Sequence, residues 1–223
     1  MILAVIMCSS CATTAKRQEA ALKTMGASRM YGDAIRFGVM ATGRPPPNGV
    51  RFGESVIDVS LNSQRKLKDT DLRALADLSS LQKLELDHTN ITDHSTVFLK
   101  NCPNLRVLGL QQVKITDASL PHIAKLTQLR ELDLWGSLVT SNGLRSLVTL
   151  RHIEKLWLHD TSIGDDAVPI LASFKSLKVV GLGDAKVSPG GKRELRRLRP
   201  DITIYPDDFK PSQTSDAILP PTG

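Results

Sequence analysis

The chain has 223 residues, 41 % of them hydrophobic and only 4 % aromatic, so one domain with an aliphatic core and short extensions is expected. Lys and Arg number 29 against 23 Asp and Glu, yet residues 1–50 hold six basic and two acidic groups while residues 51–189 hold 17 and 16. That nearly neutral body argues against a nucleic-acid interface, no apolar run has membrane-spanning length, and three cysteines (Cys8, Cys11 and Cys102) make neither a disulfide framework nor a zinc site.

Residues 1–15 read MILAVIMCSSCATTA, a short apolar run followed by small residues and cysteine. This resembles the end of a bacterial lipoprotein signal, with Cys11 as the lipid-bearing residue after Ser9-Ser10. The resemblance implies a protein of the cell envelope, anchored in the membrane through Cys11 and facing the periplasm or the exterior. The segment departs from the pattern in having no basic start, a short apolar stretch and Cys8 three positions before the lipid site. An unprocessed cytoplasmic N-terminus is the other reading.

Residues 16–53 are expected to cap the domain. Their first part, KRQEAALKTMG, favours a helix that Gly26 ends, and Arg44–Gly49 reads as a loop.

Residues 54–205 form the repeat domain: after an irregular first unit (Val56, Val59 and Leu61, with one extra residue before Leu67) the sequence repeats with a period of 24. Leu84, Leu108, Leu132, Leu156 and Val180 form one apolar column. Leu86, Leu110, Leu134, Leu158 and Leu182 form a second, and Leu81, Leu105, Leu129, Ile153 and Leu177 a third. The fourth runs through Leu67, Ile91, Ile115, Val139, Ile163 and Val187. Within a unit, Leu84 and Leu86 alternate with Lys83, Glu85 and Asp87, which is strand spacing. Thr96, Leu99 and Cys102 then recur at spacing three, enough for a turn or two of helix. Asp69, Asp93, Asp117 and Asp165 open these turns and are expected to cap the N–H groups of their own helix; Ser141 replaces Asp in one unit. No unit buries its apolar edge alone, so the units must stack. After Val187 the pattern decays into a basic helix, KRELRRLRP, and a last strand at Ile202 and Ile204. The helix is expected to give a C-terminal cap its polar outer face. Residues 206–223, rich in Pro, Ser, Thr and Asp, are expected to be a disordered tail.

The spacing L-x-x-L-x-L-x-x-T-x-I, with strings TNITD, KITDASL and SIGDDAV, resembles bacterial leucine-rich repeat proteins and the F-box and ribonuclease-inhibitor-like groups. The resemblance implies an α/β fold: a right-handed solenoid with a parallel sheet on the concave face and short helices on the convex face. It implies a concave face that binds another macromolecule, with no catalytic residue and no cofactor.

Three outward-facing columns follow from the alternation. The one after the second Leu holds Asp87, Gln111, Trp135, His159 and Gly183. The one between the two Leu holds Glu85, Gly109, Asp133, Trp157 and Gly181. The one before the first Leu holds Lys83, Val107, Glu131, Lys155 and Val179. Trp135 and Trp157 are the only tryptophans, and both are expected to face out, either as anchors for a partner or shielding each other and the strand backbone. Asp133, His159, Glu131, Gln111 and Asp87 complete the expected contact surface. Gly181 and Gly183 are expected to leave the last strand bare. The five histidines form no metal-binding spacing, and no Ser or Cys shares a column with Asp133 and His159, so no catalytic or metal site is expected. The reading is a monomeric, non-enzymatic scaffold for a protein partner; a cytoplasmic adaptor or inhibitor subunit of an enzyme is the alternative.

Overall fold

The computed structural model describes residues 58–205, apart from the side chains of Ala76 and Asp77. Cys11, the expected cap at 16–53 and the tail at 206–223 lie outside the described residues.

Among the described residues seven strands of three residues form one parallel sheet in chain order. They are β1 (Asp58–Ser60), β2 (Lys83–Glu85), β3 (Val107–Gly109), β4 (Glu131–Asp133), β5 (Lys155–Trp157), β6 (Val179–Gly181) and β7 (Thr203–Tyr205). The register follows the columns: Leu84 faces Leu108, Leu108 faces Leu132, Leu132 faces Leu156 and Leu156 faces Val180. Opposite the strands run short helices: α1 (Asp93–Thr96), α2 (Leu120–Ile123), α3 (Ser141–Leu144), α4 (Val168–Ser173) and α5 (Pro189–Leu198). Each of the first four is extended or preceded by a tighter 3-10 turn, and residues Asp69–Asp77 form a 3-10 helix of their own. The molecule is thus an α/β solenoid. Its core is one cluster running from Val59 to Ile204, built from the four apolar columns and from helix residues such as Leu99, Cys102, Leu120 and Ile123. With burial worth roughly 25 cal/mol per Å² of apolar surface, these aliphatic stacks are the main cohesive term.

Between the core columns a second, polar set of contacts joins each unit to the next. The Asp69 carboxylate accepts the backbone N–H of Thr92 (2.7 Å) and its hydroxyl (2.6 Å). Asp93 does the same for Thr116 at 2.8 and 2.7 Å, Asp117 for Thr140 at 2.7 and 2.6 Å, and Asp165 for Ser188 at 2.7 Å each. The aspartates therefore do not cap their own helices, as their position suggests; they hold the residue that precedes the next helix. Burial raises the Asp93 carboxyl, but the hydrogen bonds from Ser119 and Thr116 prevail and keep it below the usual range. The irregular unit obeys the same rule with different atoms. Gly164 stands where the others have Thr or Ser, and its N–H donates to the Ser141 hydroxyl (3.1 Å), which in turn donates to Asp166 (2.7 Å). A small residue is required two positions into the next helix. A side chain on Gly143 would run into Asp117, and one on Gly191 into Asp165.

Each of β1 to β6 leaves the sheet through one residue in the left-handed region: Ser63, His88, Gln112, Gly136, Asp160 and Asp184, with φ between 51° and 65°. Only Gly136 occupies it freely. At Ser63, His88, Gln112 and Asp160 a backbone bond to the next unit holds the conformation, as His88 N–H to the Gln111 carbonyl (2.8 Å) and Asp160 N–H to that of Gly183 (2.8 Å). Thr89 and Thr161 then donate to the strand-end carbonyls of Leu86 (2.6 Å) and Leu158 (2.7 Å).

At the C-terminal end α5 packs against α4. Arg199, which follows α5, reaches back to the carbonyls of Ala172 (3.2 Å), Phe174 (2.5 Å) and Leu177 (3.1 Å) and forks onto Asp201. Arg199 is therefore tied to the preceding unit, and Arg197 is forked onto Glu194.

If the aspartate links carry the stacking, Asp117→Ala removes two of these hydrogen bonds and strands the Thr140 N–H. The expected cost is about 2 kcal/mol in urea unfolding, with a cooperative transition retained; a change under about 0.5 kcal/mol would show the link to be incidental.

Candidate functional site

The sheet turns its outward columns to one side. Strand pairing sets Asp133 beside Trp157 and Trp157 beside Gly181, with Gly181 beside Tyr205. Four rings gather along this edge. Trp135 tilts against His159 at 5.3 Å between ring centres, His159 stacks on Trp157 at 5.9 Å, and Trp157 tilts against Tyr205 at 5.4 Å. Gly181 makes this possible, because a side chain there would run into the rings of His159 and Trp157. The last strands are thus covered by rings, not bare.

The two tryptophans are not equivalent. Trp157 is only 8 % exposed, against the expectation that it faces solvent. Its indole N–H donates to Glu131 (3.0 Å), whose second oxygen pairs with Lys155 (3.2 Å). His159 is 2 % exposed, and its Nδ1 accepts the backbone N–H of Gly183 (2.9 Å). Trp157 and His159 are the supporting layer of the cluster. Trp135 stays partly exposed on top of it, and its backbone N–H is held by Asp133 (2.9 Å).

The carboxylates stand beside the rings. Asp87 accepts the backbone N–H of Gln111 (2.8 Å), and its carboxylate lies over Gly109, 2.8 Å from where a Cβ would stand. Gly109 pairs with Asp133 across the sheet. Burial pushes the Asp133 carboxyl up to about 7; the Trp135 N–H opposes this, and the charges of Asp87 and Glu131 add to it. Asp87 is also raised, by burial first, with the Gln111 N–H and the Lys83 charge pulling the other way. Glu85, another strand-face carboxylate, is matched by Lys83 at 2.7 Å.

Of the residues expected at the contact surface, the structure brings together Trp135, Trp157, His159, Asp133 and Glu131. Asp87 and Gln111 adjoin them across β3. Tyr205 and Lys155 belong to the same assembly. Tyr205 lies one repeat beyond Gly181, so continuing that column would have found it. Among the described residues no three His, Cys, Asp or Glu side chains converge as a metal site. Among the described residues no helix is long and apolar enough to cross a membrane.

The family model described as leucine rich repeat matches residues 79–139. Among solved structures, the leucine-rich repeat ectodomain of the receptor kinase SOBIR1 from Arabidopsis thaliana is 18 % identical, covering 77 % of this chain and 92 % of that one, with a TM-score of 0.51. An internalin from Listeria monocytogenes is 21 % identical over 70 % of this chain and 48 % of its own, at a TM-score of 0.47. A leucine-rich repeat protein of Leptospira interrogans is 23 % identical over 60 % and 33 %, also at 0.47. The match thus spans about a third and about half of the two bacterial proteins. No curated protein matches the chain.

Asp133 gives the site a pH signature. A carboxyl raised in the fold from 3.8 to about 7 favours folding while protonated, and this contribution is lost as pH rises from about 4 through 7. Asp133→Asn keeps an oxygen for the Trp135 N–H. It is expected to raise stability by about 2 kcal/mol at pH 8, some 5 °C in Tm, and to change little at pH 4. An equal effect at both pH values would contradict this.

Proposed function

We propose, on the premise that these repeats are leucine-rich repeats, that the domain is a non-enzymatic module whose strand face holds a protein partner. Leucine-rich repeat domains commonly mediate contact between proteins. The observation that carries the reading is the partly exposed indole of Trp135, mounted on a buried layer of His159 and Trp157. A large rigid side chain held in one orientation loses little entropy on binding, which is why tryptophan is enriched where binding energy concentrates.

We further propose that the chain acts in the cell envelope, attached through a lipid on Cys11. The apolar run followed by Ser9-Ser10-Cys11 supports it. In the other reading, a cytoplasmic adaptor, the strand face does the same work and the N-terminus stays unmodified.

One preparation tests both proposals. The full chain is recovered from its native host with cross-linked partners, and its intact mass is read. A diacyl or triacyl chain beginning at Cys11 is expected; an unmodified Met1 in the soluble fraction would make it a cytoplasmic protein. Trp135→Ala is expected to cost under about 1 kcal/mol of stability yet lose at least tenfold in partner recovery. Trp157→Ala, which removes a buried ring, is expected to cost about 3 kcal/mol. Full recovery with Trp135→Ala would move the contact off the strand face.

A further inference from the structure

Charge is unevenly divided over this domain. Residues 51–189 hold 17 basic and 16 acidic groups, yet the outward strand columns there hold Asp58, Glu85, Asp87, Glu131 and Asp133 against Lys83 and Lys155. Both lysines are spoken for, Lys83 by Glu85 at 2.7 Å and Lys155 by Glu131 at 3.2 Å. Asp87 and Asp133 have no ion pair among the described residues. Each gives one oxygen, Oδ1, to a backbone N–H and keeps Oδ2 out of any hydrogen bond among the described residues. The Asp87 carboxylate lies over Gly109, and Asp133 is the cross-strand neighbour of Gly109, about one strand spacing of 4.8 Å further on. The partly exposed Trp135 rises from the strand that carries Asp133. Two half-satisfied carboxylates repelling one another beside an aromatic face are costly in the free protein, and an organic cation relieves all of it at once.

Resting on the reading that this face binds protein, we propose that the partner presents a basic segment, whose arginine or lysine lies against Trp135 with its charge between Asp87 and Asp133. A metal ion is a poor match, since no third ligand joins the two carboxylates among the described residues. The charged and titratable groups facing Asp133 are Lys83, Glu85, Asp87 and His88 from the β2 side, Glu131 on its own strand, and Lys155 and His159 from the β5 side; β3 contributes none. Lys83 and Lys155 are each paired with a glutamate and not with Asp133. A bound cation holds Asp133 ionised, so binding tightens as pH rises through about 7.

The probe is the peptide acetyl-Gly-Gly-Arg-Arg-Gly-Gly-amide, titrated into the nitrogen-15-labelled full chain, with its citrulline twin as the neutral isostere. Saturable shifts of the Gly109 and Gln111 amides and the Trp135 indole N–H are expected with the arginine peptide at up to about 10 mM. They are expected to be absent with citrulline, to weaken about tenfold from pH 8 to pH 6, and to vanish in Asp87→Asn/Asp133→Asn. An unmoved Trp157 indole signal reports that the double variant is folded. Equal shifts with citrulline, no saturable shift, or full binding by the double variant would overturn the proposal. The native partner separates the two levels of the reading. Recovery by Asp87→Asn/Asp133→Asn but not by Trp135→Ala would overturn the basic segment and keep the protein-binding face; recovery by both variants would overturn both.

Discussion

Every unit of this solenoid hands an unsatisfied edge to the next unit, and the fold depends on that handover being met. Its apolar part is the aliphatic ladder of Leu84, Leu108, Leu132 and Leu156. Its polar part is the carboxylate of Asp69, Asp93, Asp117 or Asp165, which receives the chain where the next helix begins. The two parts need one another. Aliphatic stacks alone tolerate sliding, whereas a two-point bond to an N–H and a hydroxyl fixes the repeat spacing. Where the sequence gives up Asp at Ser141 it also gives up Thr at Gly164, and Asp166 completes the link. The handover ends at Arg199, which takes up carbonyls of the last full unit with a charge instead of a further repeat.

Because the interior and the helix side are committed to stacking, the outward strand positions are where chemistry is free to vary. Their variation is organised around glycine. Gly109 admits the Asp87 carboxylate and Gly181 admits the His159 and Trp157 rings, so neighbouring strands lean over each gap. The result is a carboxylate pair and an aromatic stack side by side, with Trp135 at their junction. Keeping Asp133 desolvated, with Asp87 and Glu131 near, works against stability in the free domain.

Much of this was legible in the sequence. Four apolar columns at a period of 24 fix the strand register, the stacking direction and which side chains turn outward, because the strand period of two and the repeat period leave no second solution. The adjacency of Trp135 to His159 and of Asp133 to Trp157 follows from the same arithmetic. Burial of Trp157 did not follow, since it depends on Gly181 being small and on Tyr205 arriving one unit later. The destination of the aspartates was also hidden. Asp before a helix caps that helix in most settings, and only the packed structure shows the next unit's Thr within reach. The left-handed residues left even less trace, since His88, Gln112 and Asp160 are held by backbone bonds to the next unit.

The most direct measurement is oxidative footprinting of the chain alone and bound to its native partner. Binding at the strand face lowers the oxidation rate of Trp135 and leaves Val97 and Leu198, exposed on the helix side, unchanged. Protection of Val97 or Leu198 with Trp135 still fully reactive would place the contact on the opposite side and contradict the account.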